Sequence, residues 1–146
     1  MGRVMNAMQE RYEGNFLEGL DIEEGKTVTL TVKAVAPAGT EKDARKQTIK
    51  DAIISFEKAG KRFIVNKTNW KVICAVIGKD ESQWTGHQIT IQRRYLSSFL
   101  GHQNVPCVRV IPPRGTPISM SVHAWMGAAT PYTDDELKEL KTKRRR

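Results

Sequence analysis

The side chains in this chain with the most chemistry to offer are cations, and they gather in stretches. Lys42, Arg45, Lys46 and Lys50 fall within one polar run, and Lys58, Lys61 and Arg62 surround a tight turn. Arg93 and Arg94 precede Tyr95, and Arg109 and Arg114 bracket a Pro-Pro pair. Lysine and arginine at this density neutralise phosphates and displace their condensed counterions. Tyr95, Phe99 and Trp84 add rings that can stack on a planar partner.

Groupings that would do covalent or metal chemistry are missing from the pattern. There is no Gly-x-Ser-x-Gly elbow and no phosphate-cradling Gly-x-x-x-x-Gly-Lys. His87, His102 and His123 are scattered, and Asp43, Asp51, Glu57 and Asp80 stand singly. Cys74 and Cys107 lack the close spacing of a structural zinc site and are expected to be reduced, buried thiols. The expectation is a protein that is not an enzyme and carries no cofactor or metal.

The charge is unevenly spread. Residues 1–24 carry 2 basic and 6 acidic side chains, residues 25–133 carry 16 and 6, and residues 134–146 carry 6 and 4. The central segment, not only the terminal Lys143-Arg144-Arg145-Arg146, supplies the net charge of +8. A basic folded unit concentrates polyanions at its surface. No stretch of 18 apolar residues occurs, and the N-terminal residues lack a signal-peptide core, so a cytoplasmic protein with no membrane partner is expected.

Elements must hold these cations in place. Residues 1–15 read as a flexible lead, 16–130 as one domain, and 131–146 as a C-terminal helix with a basic tail. Phe16, Leu17, Leu20 and Ile22 form an apolar patch expected to dock on the core. Thr27–Val35 alternates, with Val28, Leu30, Val32 and Ala34 on one face, as a half-buried strand does. Residues 38–51 form a long polar connection, a length that often signals function. Ala52–Glu57 and Arg62–Asn66 read as strands joined by a hairpin, with Ile54 and Phe56 against Phe63 and Val65.

A helix follows, because Trp70, Ile73, Cys74 and Ile77 form one stripe behind a Thr68 or Asn69 cap. Trp70 is expected to plug the core, and Trp84 to pack at the base of the next loop. His87–Tyr95 and Val105–Ile111 are the fourth and fifth strands, and Ile118–Trp125 is read as a sixth. Thr133 and Glu136 make a capping box for the last helix.

Three strands, a helix and two strands is the order of the five-stranded OB barrel, so the expected fold is mainly β. It is an OB-fold-like barrel with one helix between strands 3 and 4 and a short C-terminal helix. Such barrels bind oligonucleotides across strands 2 and 3 and the loops joining strands 1–2 and 4–5. The expected ligand is therefore single-stranded nucleic acid, held by Arg45, Lys46, Lys50, Arg62, Arg93, Arg94, Tyr95 and Arg109. A variant with Arg93→Ala and Arg94→Ala is expected to bind more weakly with little change in stability. A homodimer or a host protein partner is the alternative.

Phe63-Ile64-Val65-Asn66-Lys67-Thr68-Asn69-Trp70, Gly78, Lys79-Asp80, Trp84-Thr85-Gly86 and Cys107-Val108-Arg109-Val110 together resemble a family of small phage-encoded proteins. Its members carry similar Leu-Asn-Lys-Thr-Asn, Trp-x-Gly-x-x-Ile and Ile-Arg-Val segments. The resemblance spans about residues 16–113 and implies a phage or prophage origin, hence the host cytoplasm. A looser resemblance, by element order, links the chain to phage single-stranded-DNA-binding OB proteins and implies a role in phage DNA replication or recombination. Those proteins end in an acidic tail, whereas this chain ends in Lys-Arg-Arg-Arg.

Overall fold

The computed structural model describes residues 16–43, 45–97 and 104–144. The expected flexible lead at 1–15, Phe99, His102 and the last two arginines lie outside these residues. The chain is mainly β. Five strands, β1 (Thr27–Ala36), β2 (Ala52–Phe56), β3 (Phe63–Val65), β4 (Gln88–Ser97) and β5 (Asn104–Ile111), form one antiparallel sheet in the order β3-β2-β1-β4-β5. Among the described residues three α-helices accompany it: α1 (Lys67–Val76), α2 (Met120–Trp125) and α3 (Asp134–Arg144). The sheet is not closed into a barrel, because β3 and β5 are its two edges.

β1 organises the sheet by changing partner along its length. Thr27–Thr31 pair with β4, and Val32–Ala36 pair with β2. A bulge at Lys33 adds one residue between these halves, since Val32 opposes Phe56 but Ala34 opposes Ser55. An inserted residue reverses the in–out alternation. Val32 is therefore buried, but Val35 rather than Ala34 packs against the core beyond it, and Val28 at the other end stays exposed. The simple alternation expected over Thr27–Val35 breaks for that reason.

Ile54, Phe56, Phe63 and Val65 from β2 and β3 meet Val72 and Ile73 of α1, Ile89 and Ile91 of β4, and Val108 and Val110 of β5. Phe56 and Phe63 stack with ring centroids 6.4 Å apart. Burying each such side chain stabilises the fold by about 1.5–3 kcal/mol. Trp84 is fully buried, its Nε1 donating to the Gly78 carbonyl at 2.9 Å, so it packs at the base of its loop as expected. Trp70 is only half-buried and donates its Nε1 to Glu81.

The Asn-Lys-Thr-Asn segment works differently from its expected role. Asn66, not Thr68 or Asn69, caps α1, its side-chain oxygen accepting from the Asn69 amide at 3.0 Å. That leaves the Asn69 side chain free to turn inward. It is 0% exposed; its Nδ2 donates to the Val108 carbonyl at 2.9 Å and its Oδ1 accepts from the Val110 amide at 2.8 Å. A carbonyl and the amide two residues on are the pair that one residue of a parallel neighbouring strand would occupy. One carboxamide thus completes the free edge of β5 and stitches α1 to it.

Residues 16–22 fill the rest of the gap between the two sheet edges. Phe16 bridges to Arg62, and the Leu17 amide donates to the Arg62 carbonyl at 2.8 Å. Gly19 lies so close to β5 that a Cβ there would sit 2.6 Å from the Cys107 nitrogen. Ile22 enters the core and Phe16 and Leu17 are half-buried, but Leu20 points outward.

Ile118–Trp125 is not a sixth strand. Ser119 accepts from the Val122 amide and starts α2, which buries Val122, with Met126 buried just past its end. Alternation in Ile-Ser-Met-Ser-Val and a four-residue spacing coexist in that segment, and the Ser119 cap decides between them. After α2 the chain pairs with the part of β4 that β1 leaves free, through reciprocal Tyr95–Ala128 backbone bonds. Gly127 enables this approach: its φ is +76°, and a Cβ would lie 2.6 Å from the Tyr95 oxygen. The Thr133–Glu136 capping box of α3 forms as expected, and its backbone bond from Thr133 holds the Glu136 carboxyl below its ordinary value.

Two outcomes follow for stability. Asn69→Ala orphans two buried backbone groups and should cost about 2–4 kcal/mol in urea unfolding. Asn69→Asp keeps the shape, but ionised it offers Val108 no donor, so its folded pKa should rise above the ordinary value of about 3.9. A raised folded pKa means stability present at low pH and lost as pH climbs from about 4 toward the folded value. A flat stability profile between pH 3 and 7 for that variant would contradict the role given to Nδ2.

Candidate nucleic-acid interface

Cations in this fold divide by whether the backbone or a carboxylate has claimed them. Arg62 is claimed: its Nη1 donates to both Glu41 carboxylate oxygens at 2.7 Å, and its guanidinium lies 5.2 Å from the Phe16 ring centroid. Arg93 lies in the middle of β4, not at its exit, because the strand runs on to Ser97. Its Nε donates to the Gly19 carbonyl at 2.9 Å, its Nη2 to Leu20 and its Nη1 to the Tyr95 hydroxyl. Arg94, on the opposite face, donates to Gln92 and to the Gly127 carbonyl.

Tyr95 is 7% exposed, and its hydroxyl donates to Glu24 at 2.8 Å, so its ring is packed away from solvent. Arg109 is 5% exposed; its Nε donates to the Trp125 carbonyl at 3.1 Å, and burial pulls its guanidinium below the ordinary value. Five of the eight residues singled out from the sequence therefore fasten the fold. They do not form one surface.

The strand 2–3 face expected to carry a ligand is also closed. On the side of β2 and β3 away from the core, Ile53 is buried, and Ser55 and Ile64 are half-buried. None of these is a cation or an aromatic ring.

Arg45, Lys46 and Lys50 have a different setting. Residues 39–49 fold back as a narrow ladder: the Gly39 amide donates to Ile49, the Ile49 amide to Glu41 and the Asp43 amide to Gln47. Asp43 ties the tip, its Oδ1 accepting from the Arg45 and Gln47 amides at 2.8 and 3.0 Å. That use of Asp43 turns its carboxylate toward the backbone and leaves the loop's cations without a partner of opposite sign. Lys42, Arg45, Lys46 and Lys50 are all exposed and make no ion pair among the described residues. Lys46 adopts φ +63°, a left-handed conformation that a side chain bearing Cβ enters only at a cost. The loop thus carries four exposed positive charges that form no ion pair among the described residues.

A second exposed cluster contains Lys67, which the sequence offers as a ligand candidate if its segment faces outward, with Lys71 and Trp125, which the sequence does not single out. Lys67 and Lys71 are one turn apart on α1, and their ammonium nitrogens lie 5.8 and 5.9 Å from the centroid of the Trp125 ring. Trp125 is 42% exposed at the end of α2. The four-residue lysine spacing was available as a signal, but its aromatic partner lies 54 residues on, in a segment that reads as a strand.

Among the described residues no group of three or more His, Cys, Asp or Glu could hold a metal ion. Cys74 and Cys107 are free thiols, each pushed above its ordinary value by burial. No helix among the described residues is long and apolar enough to cross a membrane.

The partitioning of cations gives two checks. Arg93→Ala should destabilise the protein by about 1–3 kcal/mol, since it releases the carbonyls of Gly19 and Leu20, contrary to the neutral effect expected from the sequence. Lys46→Gly should be neutral or stabilising by up to about 1 kcal/mol, because glycine relieves the left-handed strain. Equal thermal shifts in the two variants would undo the division between fastened and free cations. Set against models of known protein families, curated proteins and solved structures, the chain matches none of them.

Proposed function

We propose that this protein binds single-stranded nucleic acid, with DNA the favoured form, and performs no chemistry on it. The observation that carries this reading is the hydrogen-bonded loop between β1 and β2, with Lys42, Arg45, Lys46 and Lys50 exposed and in no ion pair among the described residues. A loop whose only carboxylate at the tip is spent on its own backbone is built to present positive charge, and phosphates are the anions that reward several cations in a row. The loop between strands 1 and 2 is also one of the two that OB folds use for oligonucleotides.

The finer fold assignment belongs to the same reading. The element order, with α1 between β3 and β4, and the position of β1 between β2 and β4, suit an OB barrel opened between β3 and β5. On this reading Asn69 and residues 16–22 stand where pairing of β3 with β5 would close the barrel. The looser resemblance to phage single-stranded-DNA-binding OB proteins supports a role in phage DNA replication or recombination, and the resemblance to small phage proteins supports a phage origin and hence the host cytoplasm. Binding led by the loop is electrostatic and weakly sequence-selective, since phosphate contacts carry no base information.

Fluorescence anisotropy with labelled oligo-dT, duplex DNA and heparin at two salt concentrations tests the proposal. The single strand should bind more tightly than duplex or heparin, and salt should weaken it. The triple variant Arg45→Ala, Lys46→Ala, Lys50→Ala should stay folded and lose about tenfold or more at low salt. Its slope of log affinity against log salt should flatten by about 2, at roughly 0.7 per single-strand phosphate. Equal binding to all three polyanions, or an unaltered triple variant, would remove the loop as a nucleic-acid site and turn attention to a protein partner.

A further inference from the structure

We infer that Trp125, flanked by Lys67 and Lys71, is a base-stacking subsite for one nucleotide of a single strand. The inference rests on the nucleic-acid reading above and adds a site apart from the loop.

Four features point to it. The first is the ring itself. Trp84 is fully buried and Trp70 is half-buried with its Nε1 bonded to Glu81, whereas Trp125 keeps 42% of its surface in solvent. An exposed indole is a platform on which any base can stack.

The second is charge. Lys67 and Lys71 are exposed, and both ammonium groups stand within 6 Å of the ring centroid. Like charges at i and i+4 repel, and neither α1 nor α2 contains a carboxylate to relieve them. The ring quadrupole offsets part of this, and a phosphate would offset far more. A ring and two unneutralised cations in one place match a nucleotide, which joins a flat base to an anion.

The third is support. The Arg109 guanidinium, buried under α2, donates to the Trp125 carbonyl, and Asn69 on α1 holds Val108 and Val110 on either side of Arg109. Both helices that form the subsite are therefore anchored to the same three residues of β5. Such anchoring fixes the ring against the lysines before any ligand arrives, which lowers the ordering cost of binding.

The fourth is the surrounding surface. Met120, Ser121, His123, Ala124 and Trp125 are exposed on α2, which buries only Val122.

The decisive comparison is between labelled oligo-dT and an abasic oligomer of equal length, which keeps every phosphate and removes every base. The wild-type protein should favour oligo-dT by about tenfold or more, as one stacked base would give. Trp125→Leu should abolish that preference, and Trp125→Phe should restore part of it. Lys67→Ala with Lys71→Ala should weaken both oligomers. In the wild type, saturating oligo-dT should shield tryptophan fluorescence from acrylamide, a readout that needs no variant to fold.

Equal wild-type affinity for the two strands overturns the subsite and leaves the cationic loop intact as a phosphate site. A dT preference that survives in Trp125→Leu, or unchanged acrylamide quenching, likewise overturns it. Failure of both oligomers to bind overturns the subsite and the wider reading together.

Discussion

The two hydrogen bonds of the Asn69 carboxamide are the constraint on which the rest of this architecture hangs. β5 is an edge strand, and an unpaired edge buried against a helix would leave backbone groups without partners, at about 1–3 kcal/mol each. Asn69 supplies one donor and one acceptor at the spacing the strand requires. α1 is thereby locked across the end of the core, where Val72 and Ile73 meet Val108 and Val110. The helix can start where it does because Asn66 takes over the capping duty. A four-residue segment thus divides its labour between a local cap and a long-range staple.

From that staple the arrangement of the surface follows. With β5 held by α1 on one side and by β4 on the other, Arg109 is enclosed, and its guanidinium donates to the Trp125 carbonyl and to its own strand at Val108. That bond sets α2 beside α1 and brings Trp125 to Lys67 and Lys71. The other arginines of the sheet answer a similar need. Arg93 holds the segment that fills the gap between the sheet edges, and Arg94 holds the glycine that lets the chain return along β4. Each is a cation spent on backbone carbonyls, a use for which the planar, many-donor guanidinium is better suited than lysine.

The sorting has a consequence for how positive charge is read as function. Net charge counts Arg62 and Arg45 alike, yet one is neutralised by Glu41 and the other faces solvent. A ligand experiences only the second kind. The basic loop and the lysine-flanked indole are two clusters of exposed cations, and the proposed activity depends on them.

Local signals in the sequence determined much of the architecture. β-branched runs placed the five strands close to their observed ends, turn residues separated them, and the stripe from Trp70 to Ile77 marked α1. The Thr133–Glu136 box marked α3, and the polar run at 38–51 marked the loop that carries the free cations. All of these are encoded within a few residues. Tertiary structure alone decided the bulge at Lys33, the inward turn of Asn69 and the partners of Arg62, Arg93, Arg94 and Arg109. Those outcomes depend on groups tens of residues apart in the chain. Whether a guanidinium meets a carbonyl or a phosphate is settled by which backbone groups the packed fold would otherwise leave unpaired, and no sequence window contains that information.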